Sequence, residues 1–309
     1  MLYAYMRETH ERPIAICTPR SQLCALFFAL LSLGVQSARA QDPPITTENR
    51  SASIVARESK APERFVVGCD SGDITIEIDA TLTDSRVEAV FHLVGRSASD
   101  LANRKATIRL FATRTADDSI VVEPVLPDGI RAGERVDIIV RTFAAGDTSM
   151  RAKSGAMKAT GVRGKLRLRG GNGAVMLREC VGPIDVHSAH GAVDIQDATS
   201  DVHIASKHAP VSLRYAEGAD AEFKIETTNG PVTVSVSAAY DGAATLRTTA
   251  GGIVLHDTAK RMRTPRIGDT VAQVELGAGV AQSIVETSNG TVVFEARAAV
   301  VAPTTASPK

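Results

Sequence analysis

Cut every nine positions from Gly164, residues 164–217 read GKLRLRGGN, GAVMLRECV, GPIDVHSAH, GAVDIQDAT, SDVHIASKH and APVSLRYAE. Each unit has the form G-x-φ-x-φ followed by four mostly polar or small residues, and only Ser200 and Ala209 replace the glycine. The apolar pairs are Leu166/Leu168, Val175/Leu177, Ile184/Val186, Val193/Ile195, Val202/Ile204 and Val211/Leu213. Side chains two apart on a strand share a face, so each unit turns two aliphatics inward and their neighbours outward. Glycine at the unit start suits a turn with positive φ. One unit buries too little to stand alone, whereas stacked units bury a continuous ladder.

This spacing predicts an all-β chain: a single-chain β-solenoid, or β-helix, of nine-residue strand units, with two units and about 18 residues per coil. Three units per coil is the second stacking, and an antiparallel meander with hairpins at the glycines is the alternative. The constant phase favours the solenoid. The pattern weakens upstream, where Gly155-Ala-Met-Lys-Ala and Gly146-Asp-Thr-Ser-Met keep the same grid. Downstream it resumes after insertions. Ile225-Glu-Thr-Thr-Asn-Gly-Pro-Val and Val285-Glu-Thr-Ser-Asn-Gly-Thr-Val are near copies.

The organisation expected is a signal peptide over 1–40, a flexible leader over 41–63, an irregular β-rich part over 64–145, the repeats over 146–297 and a disordered tail over 298–309. A helical turn is expected near 98–106. The signal reading rests on Arg7, Arg12 and Arg20, the apolar run Leu23–Val35 and the small residues Ala38 and Ala40, with cleavage after Ala40. The run is too short to span a bilayer, and no later segment approaches the roughly 18 apolar residues required. An uncleaved anchor is the alternative.

The chain from Gln41 carries 33 acidic and 31 basic residues and no Trp. Such a balance offers no footprint for nucleic acid or anionic lipid, and no partner of that kind is expected. Two cysteines remain after cleavage, Cys69 and Cys180, and in an oxidising compartment they are a candidate disulfide.

The units G-x-φ-x-φ, with their Thr-Asn-Gly and Ser-Asn-Gly turns, resemble the bacterial putative-adhesin family of β-strand repeat proteins. That is a domain of unknown function related to the toast-rack domains of envelope-stress proteins. The resemblance spans about residues 64–297. It implies an exported, non-enzymatic β-solenoid of the cell envelope, without cofactor, whose partner is an envelope protein or a surface glycan.

The chemistry tested points the same way. In calcium-binding nonapeptides an Asp stands where Gly170-Gly-Asn-Gly is followed by Val175. No nucleophile elbow, phosphate loop, dinucleotide fingerprint or HExxH is present. Four of the seven histidines fall in one stretch: His187, His190, His203 and His208. An 18-residue coil would stack His190 on His208 at a corner, the weak candidates for a metal, and Asp185 on His203 as a pH-sensitive pair. Without a third ligand beside His190 and His208, no metal is expected. Three functions therefore compete: an adhesin-like binding module, a periplasmic stress scaffold or sensor partner, and a β-helix carbohydrate-active enzyme. Exposed aromatics would favour glycan binding, and the repeats offer only Tyr215, Phe223, Tyr240 and Phe294.

Overall fold

The computed structural model describes residues 43–54 and 61–299, so the expected signal segment and the last ten residues lie outside it. The described chain is nearly all β, with twenty-three strands and one helix. The first part holds β1 (Ile45–Ile54), β2 (Glu63–Ser71), β3 (Ile74–Ile78), β4 (Ser85–Val94) and α1 (Ala98–Thr107). There follow β5 (Arg109–Arg114), β6 (Ser119–Val125), β7 (Arg135–Thr142), β8 (Ala145–Ser154) and β9 (Met157–Thr160). The six nine-residue units supply β10 (Leu166–Gly170), β11 (Val175–Arg178), β12 (Ile184–Ser188), β13 (Val193–Ala198), β14 (Val202–Ser206) and β15 (Val211–Tyr215). Then come β16 (Phe223–Asn229), β17 (Val232–Val236), β18 (Gly242–Ala250) and β19 (Ile253–Asp257). The last are β20 (Met262–Ile267), β21 (Val271–Leu276), β22 (Ala281–Asn289) and β23 (Val292–Ala296).

These strands form two mixed sheets, neither closed on itself. The first has eleven strands in the order β1-β4-β7-β3-β9-β11-β13-β15-β17-β23-β19. The second has twelve, in the order β20-β21-β18-β22-β16-β14-β12-β10-β8-β2-β6-β5. In the middle of the chain, successive strands alternate between the sheets and pair in parallel. Leu166 of β10 faces Ile184 of β12, and Val175 of β11 faces Val193 of β13, an offset of 18 residues in each sheet. Every residue of the six apolar pairs is at most 2% exposed, and both sheets contribute to one continuous core.

Two of the unit glycines are needed for a reason other than turn geometry. Gly173 and Gly191 are not in the left-handed region, yet a Cβ on them would lie 1.8 and 1.7 Å from the carbonyl oxygens of Gly155 and Gly173. Between these tiers the backbones approach too closely for a side chain, whereas the next tier carries Ala209 at the same corner.

Beyond β15 the period breaks. Val202 faces Phe223 and Val211 faces Val232, offsets of 21 residues. The longer corner is filled by rings: Phe223 lies 6.3 Å from Tyr215, 6.1 Å from Tyr240 and 6.3 Å from Phe294, all of them buried. The chain end then departs from sequence order. β22 lies between β16 and β18, and β23 between β17 and β19, so the last two strands intercalate between two earlier tiers. The near copies noted above are therefore neighbours, with Ile225 opposite Val285 and Asn229 opposite Asn289.

Two expectations need correction, and the expected helical turn is borne out and lengthened. Residues 45–54, read as part of a flexible leader, form β1, paired antiparallel with β4 over ten residues. Its sequence has little apolar alternation because it is an outer strand held by ladder hydrogen bonds rather than by burial, with Ile45 72% exposed. The helical turn is the ten-residue α1, whose Ser97 cap accepts a hydrogen bond from the Asp100 N–H. Cys69 and Cys180 are both free and buried. Cys69 sits where β2 leaves the second sheet for β3, and Cys180 where β11 leaves the first sheet for β12. They occupy opposite corners of the body, out of reach of a bond that needs Cα atoms within about 7 Å.

The N-terminal end closes on a buried ion pair. Arg104 of α1 donates Nε and Nη2 to Glu134, each at 2.6 Å, and its Nη1 and Nη2 also donate to the carbonyls of Pro127 and Gly129. Glu134 further accepts the Val94 and Arg131 N–H groups.

Candidate functional site

The outward residues of the second sheet form two rows across its strands. One runs Arg167, Asp185, His203, Lys224 and Ile284; the other runs Arg169, His187, Ala205, Glu226, Glu286 and Arg247. Parallel pairing in register brings these side chains together, since partners on adjacent strands lie about 4.8 Å apart. The charges alternate closely enough to pair. Arg169 Nη2 lies 2.9 Å from Asp185 Oδ2, Lys224 Nζ 2.7 Å from Glu226, and Arg247 Nη1 3.0 Å from Glu286. Glu226 and Glu286 face one another across strands, and their two cations offset that repulsion.

Beside the second row runs a line of hydroxyls at the inward strand ends: Ser188, Ser206, Thr227, Thr287 and Thr248. All five are nearly buried. Ser188 donates to Gly191 O and Thr248 to Gly290 O, but the hydroxyls of Ser206, Thr227 and Thr287 have no hydrogen-bond partner in the protein. Hydroxyls and charges together line a groove of about 830 Å³, with Lys207 at its rim. A second groove, about 520 Å³, opens on the same face around Asp185, His203, Glu222 and Lys224.

Asp185, His187 and His203 lie between the two grooves. His187 Nε2 is 3.2 Å and His203 Nδ1 3.3 Å from the same oxygen, Asp185 Oδ1. The rings meet edge to face, with centroids 5.7 Å apart. Ala205, opposite His187 on β14, leaves room for this approach. Burial works against ionisation of Asp185, but the Arg169 guanidinium and the two imidazoles hold its carboxyl below the usual carboxylate range. Lys224 does the same for Glu226.

His190 and His208 stack face to face in adjacent tiers, with ring centroids 4.9 Å apart and planes 9° from parallel. The Asn229 amide is 2.7 Å from His208 Nδ1, and Asn289 Nδ2 donates to Asn229 Oδ1 at 2.7 Å. Parallel rings set their nitrogens side by side rather than aiming them at one point. The sequence reading paired Asp185 with His203 and passed over His187. The signal was present: His187 stands two residues after Asp185, hence on the same face of the same strand. The four repeat-region aromatics are all in the core, so none of them offers a stacking platform on this face.

No family model matches the chain, and no curated protein matches it. Among solved structures, it is similar to a putative cell adhesion protein from Clostridium sporogenes, at 10% identity over 81% of this chain and 100% of that one, with a TM-score of 0.33. It is also similar to a putative adhesin from Bacteroides fragilis, at 10% identity over 80% of this chain and 97% of that one, with a TM-score of 0.36. A putative adhesin from Parabacteroides distasonis matches at 12% identity over 81% of this chain and 98% of that one, with a TM-score of 0.27. Among the described residues no helix is long and apolar enough to cross a membrane.

Proposed function

We propose that this chain is an exported, non-catalytic, adhesin-like binding module of the bacterial cell envelope. In this reading a β-solenoid of two strands per coil presents the outer face of the second sheet to a partner. The observation that carries it is the larger groove, lined by the charged side chains of Arg169, Lys207, Glu226, Arg247 and Glu286, with Arg247 and Glu286 paired at 3.0 Å. A polar ligand laid along the groove, either a glycan chain or a protein strand, would meet this row of charges. Export rests on the secretory pattern of residues 1–40.

The non-catalytic part of the reading is supported by the state of the acids. A general acid working near neutrality needs a carboxyl raised toward about 7. Asp185 and Glu226 are shifted the other way, by the cations and imidazoles that hold them. Both are built to stay charged.

The test is binding of the purified chain from Gln41 to isolated envelopes, followed by sedimentation. Saturable binding is expected, weakened about tenfold, or 1.4 kcal/mol, by Lys207→Glu combined with Arg247→Ala. Asp194→Lys, on the outer face of the other sheet, should leave it unchanged. Absence of binding, or equal loss from both changes, would remove the proposal.

A further inference from the structure

We infer that Asp185, His187 and His203 form a binding site for a first-row divalent cation, with zinc the best fit. This goes beyond the partner-binding reading and does not depend on it. It also departs from the sequence expectation of no metal, which considered only the stacked pair His190 and His208.

The geometry carries the inference. Asp185 Oδ1 is buried, has ring nitrogens at 3.2 and 3.3 Å, and still has no hydrogen bond, because neither N–H direction is aligned with it. The three donor atoms all lie within 4.8 Å of one another. They cluster around Asp185 Oδ1 without satisfying it. Zinc bonds of about 2.0–2.1 Å in a tetrahedron set neighbouring ligand atoms about 3.3 Å apart, which is the spacing of both imidazole nitrogens from the carboxylate oxygen. Two imidazoles and one carboxylate suit zinc and its first-row neighbours, whereas magnesium and calcium take oxygen donors and softer ions take thiolates.

The surroundings orient the ligands. Arg169 donates to Asp185 Oδ2 at 2.9 Å, which fixes the carboxylate and turns Oδ1 toward the two rings. Outer-shell bonds of this kind are the usual support of a metal-binding carboxylate. Of the cations flanking the site along its row, Lys224 is engaged by Glu226 at 2.7 Å and Arg167 lies opposite Asp185 on β10. The side chains of His187 and His203 are 44% and 39% exposed, so the fourth coordination position opens to the surface, where water or an oxygen of a bound partner completes it. With three protein ligands and one open position, the site differs from a structural zinc site closed by four protein ligands.

Calorimetric titration of zinc chloride into the untagged, chelator-free protein should show one site. His187→Ala and His203→Ala should each weaken it by about tenfold or more, as should the conservative Asp185→Asn. His190→Ala combined with His208→Ala should leave it unchanged. Cobalt(II) added in place of zinc should give visible absorption bands that zinc displaces, and circular dichroism confirms that each variant is folded. No binding of either ion to the folded protein would overturn the inference. So would binding that survives His187→Ala and His203→Ala, or binding lost with the corner pair.

Discussion

Gly191→Ala separates close tier stacking from turn geometry as the reason for the repeating glycine. Gly191 does not occupy the left-handed region, so alanine meets no backbone strain there. Its Cβ would lie 1.7 Å from the Gly173 carbonyl oxygen, well inside the 3.0 Å that such contacts respect. The corner must open by more than 1 Å, against strands fixed about 4.8 Å apart by their ladder. Overpacking against a backbone that cannot yield costs about 3 kcal/mol. At about 2–4 °C per kcal/mol for a domain of this size, the melting midpoint should fall by about 6–12 °C. Two controls isolate the cause. Gly129→Ala meets nothing within 4 Å but has φ of 73°, so it carries strain without a clash; it should cost about 1–2 kcal/mol. Gly252→Ala has neither feature, and should be neutral or stabilising by about 0.5 kcal/mol. Melts followed by circular dichroism decide the matter. If Gly191→Ala melts with Gly252→Ala, the stacking argument is wrong.

Ile195→Asp places a carboxylate between Leu177 and Leu213 and should cost about 3 kcal/mol or more, whereas Asp194→Lys on the outer face should change denaturant stability by about 0.5 kcal/mol or less. Arg104→Met leaves the buried Glu134 without its fork and should cost about 3–5 kcal/mol at pH 7. Although burial opposes it, Arg104 and two backbone N–H groups hold the Glu134 carboxyl below its ordinary value. Its stabilising contribution is therefore full above the unfolded value of about 4.3 and is lost as pH falls through the folded one, an acid dependence the variant should lack. Burial pushes the Cys69 thiol up to about 12 and raises Cys180 as well. Neither should react with iodoacetamide at pH 8 until denaturant is added, and early labelling of the native protein would contradict their burial.

The inward phase was readable because it rests on local physics. Two aliphatics every nine residues admit one burial pattern on a strand, and Ile195 and Val193 are both 1% exposed as that pattern requires. What escaped was of two kinds. β1 carries almost no apolar signal, since an outer strand is held by backbone hydrogen bonds that any sequence can supply. The order of the last tiers is a question of which ladder lies beside which, and a uniform period says nothing about that. Only the near copies at Ile225 and Val285 hinted at adjacency. At the candidate site, the 18-residue offset identified the Asp185–His203 contact across strands, while the within-strand partner His187 was left out of the reckoning.

The intercalated chain end bears directly on the binding face. Glu286, Thr287 and Ser288, which line the larger groove, belong to β22, and their neighbours on either side come from β16 and β18. The pairing of β22 with β16 joins residues 60 apart, as in Asn229 with Asn289. Closing a loop of that length costs conformational entropy that the ladder must offset. Until β22 and β23 enter, β16 and β17 end each sheet with unpaired backbone edges, and the groove lacks its central strand. The hydroxyl line from Ser206 through Thr227 to Thr287 is likewise continuous only when the final strands are in place. The proposed face thus exists only where β22 is paired on both sides, which ties it to the strands from the end of the chain.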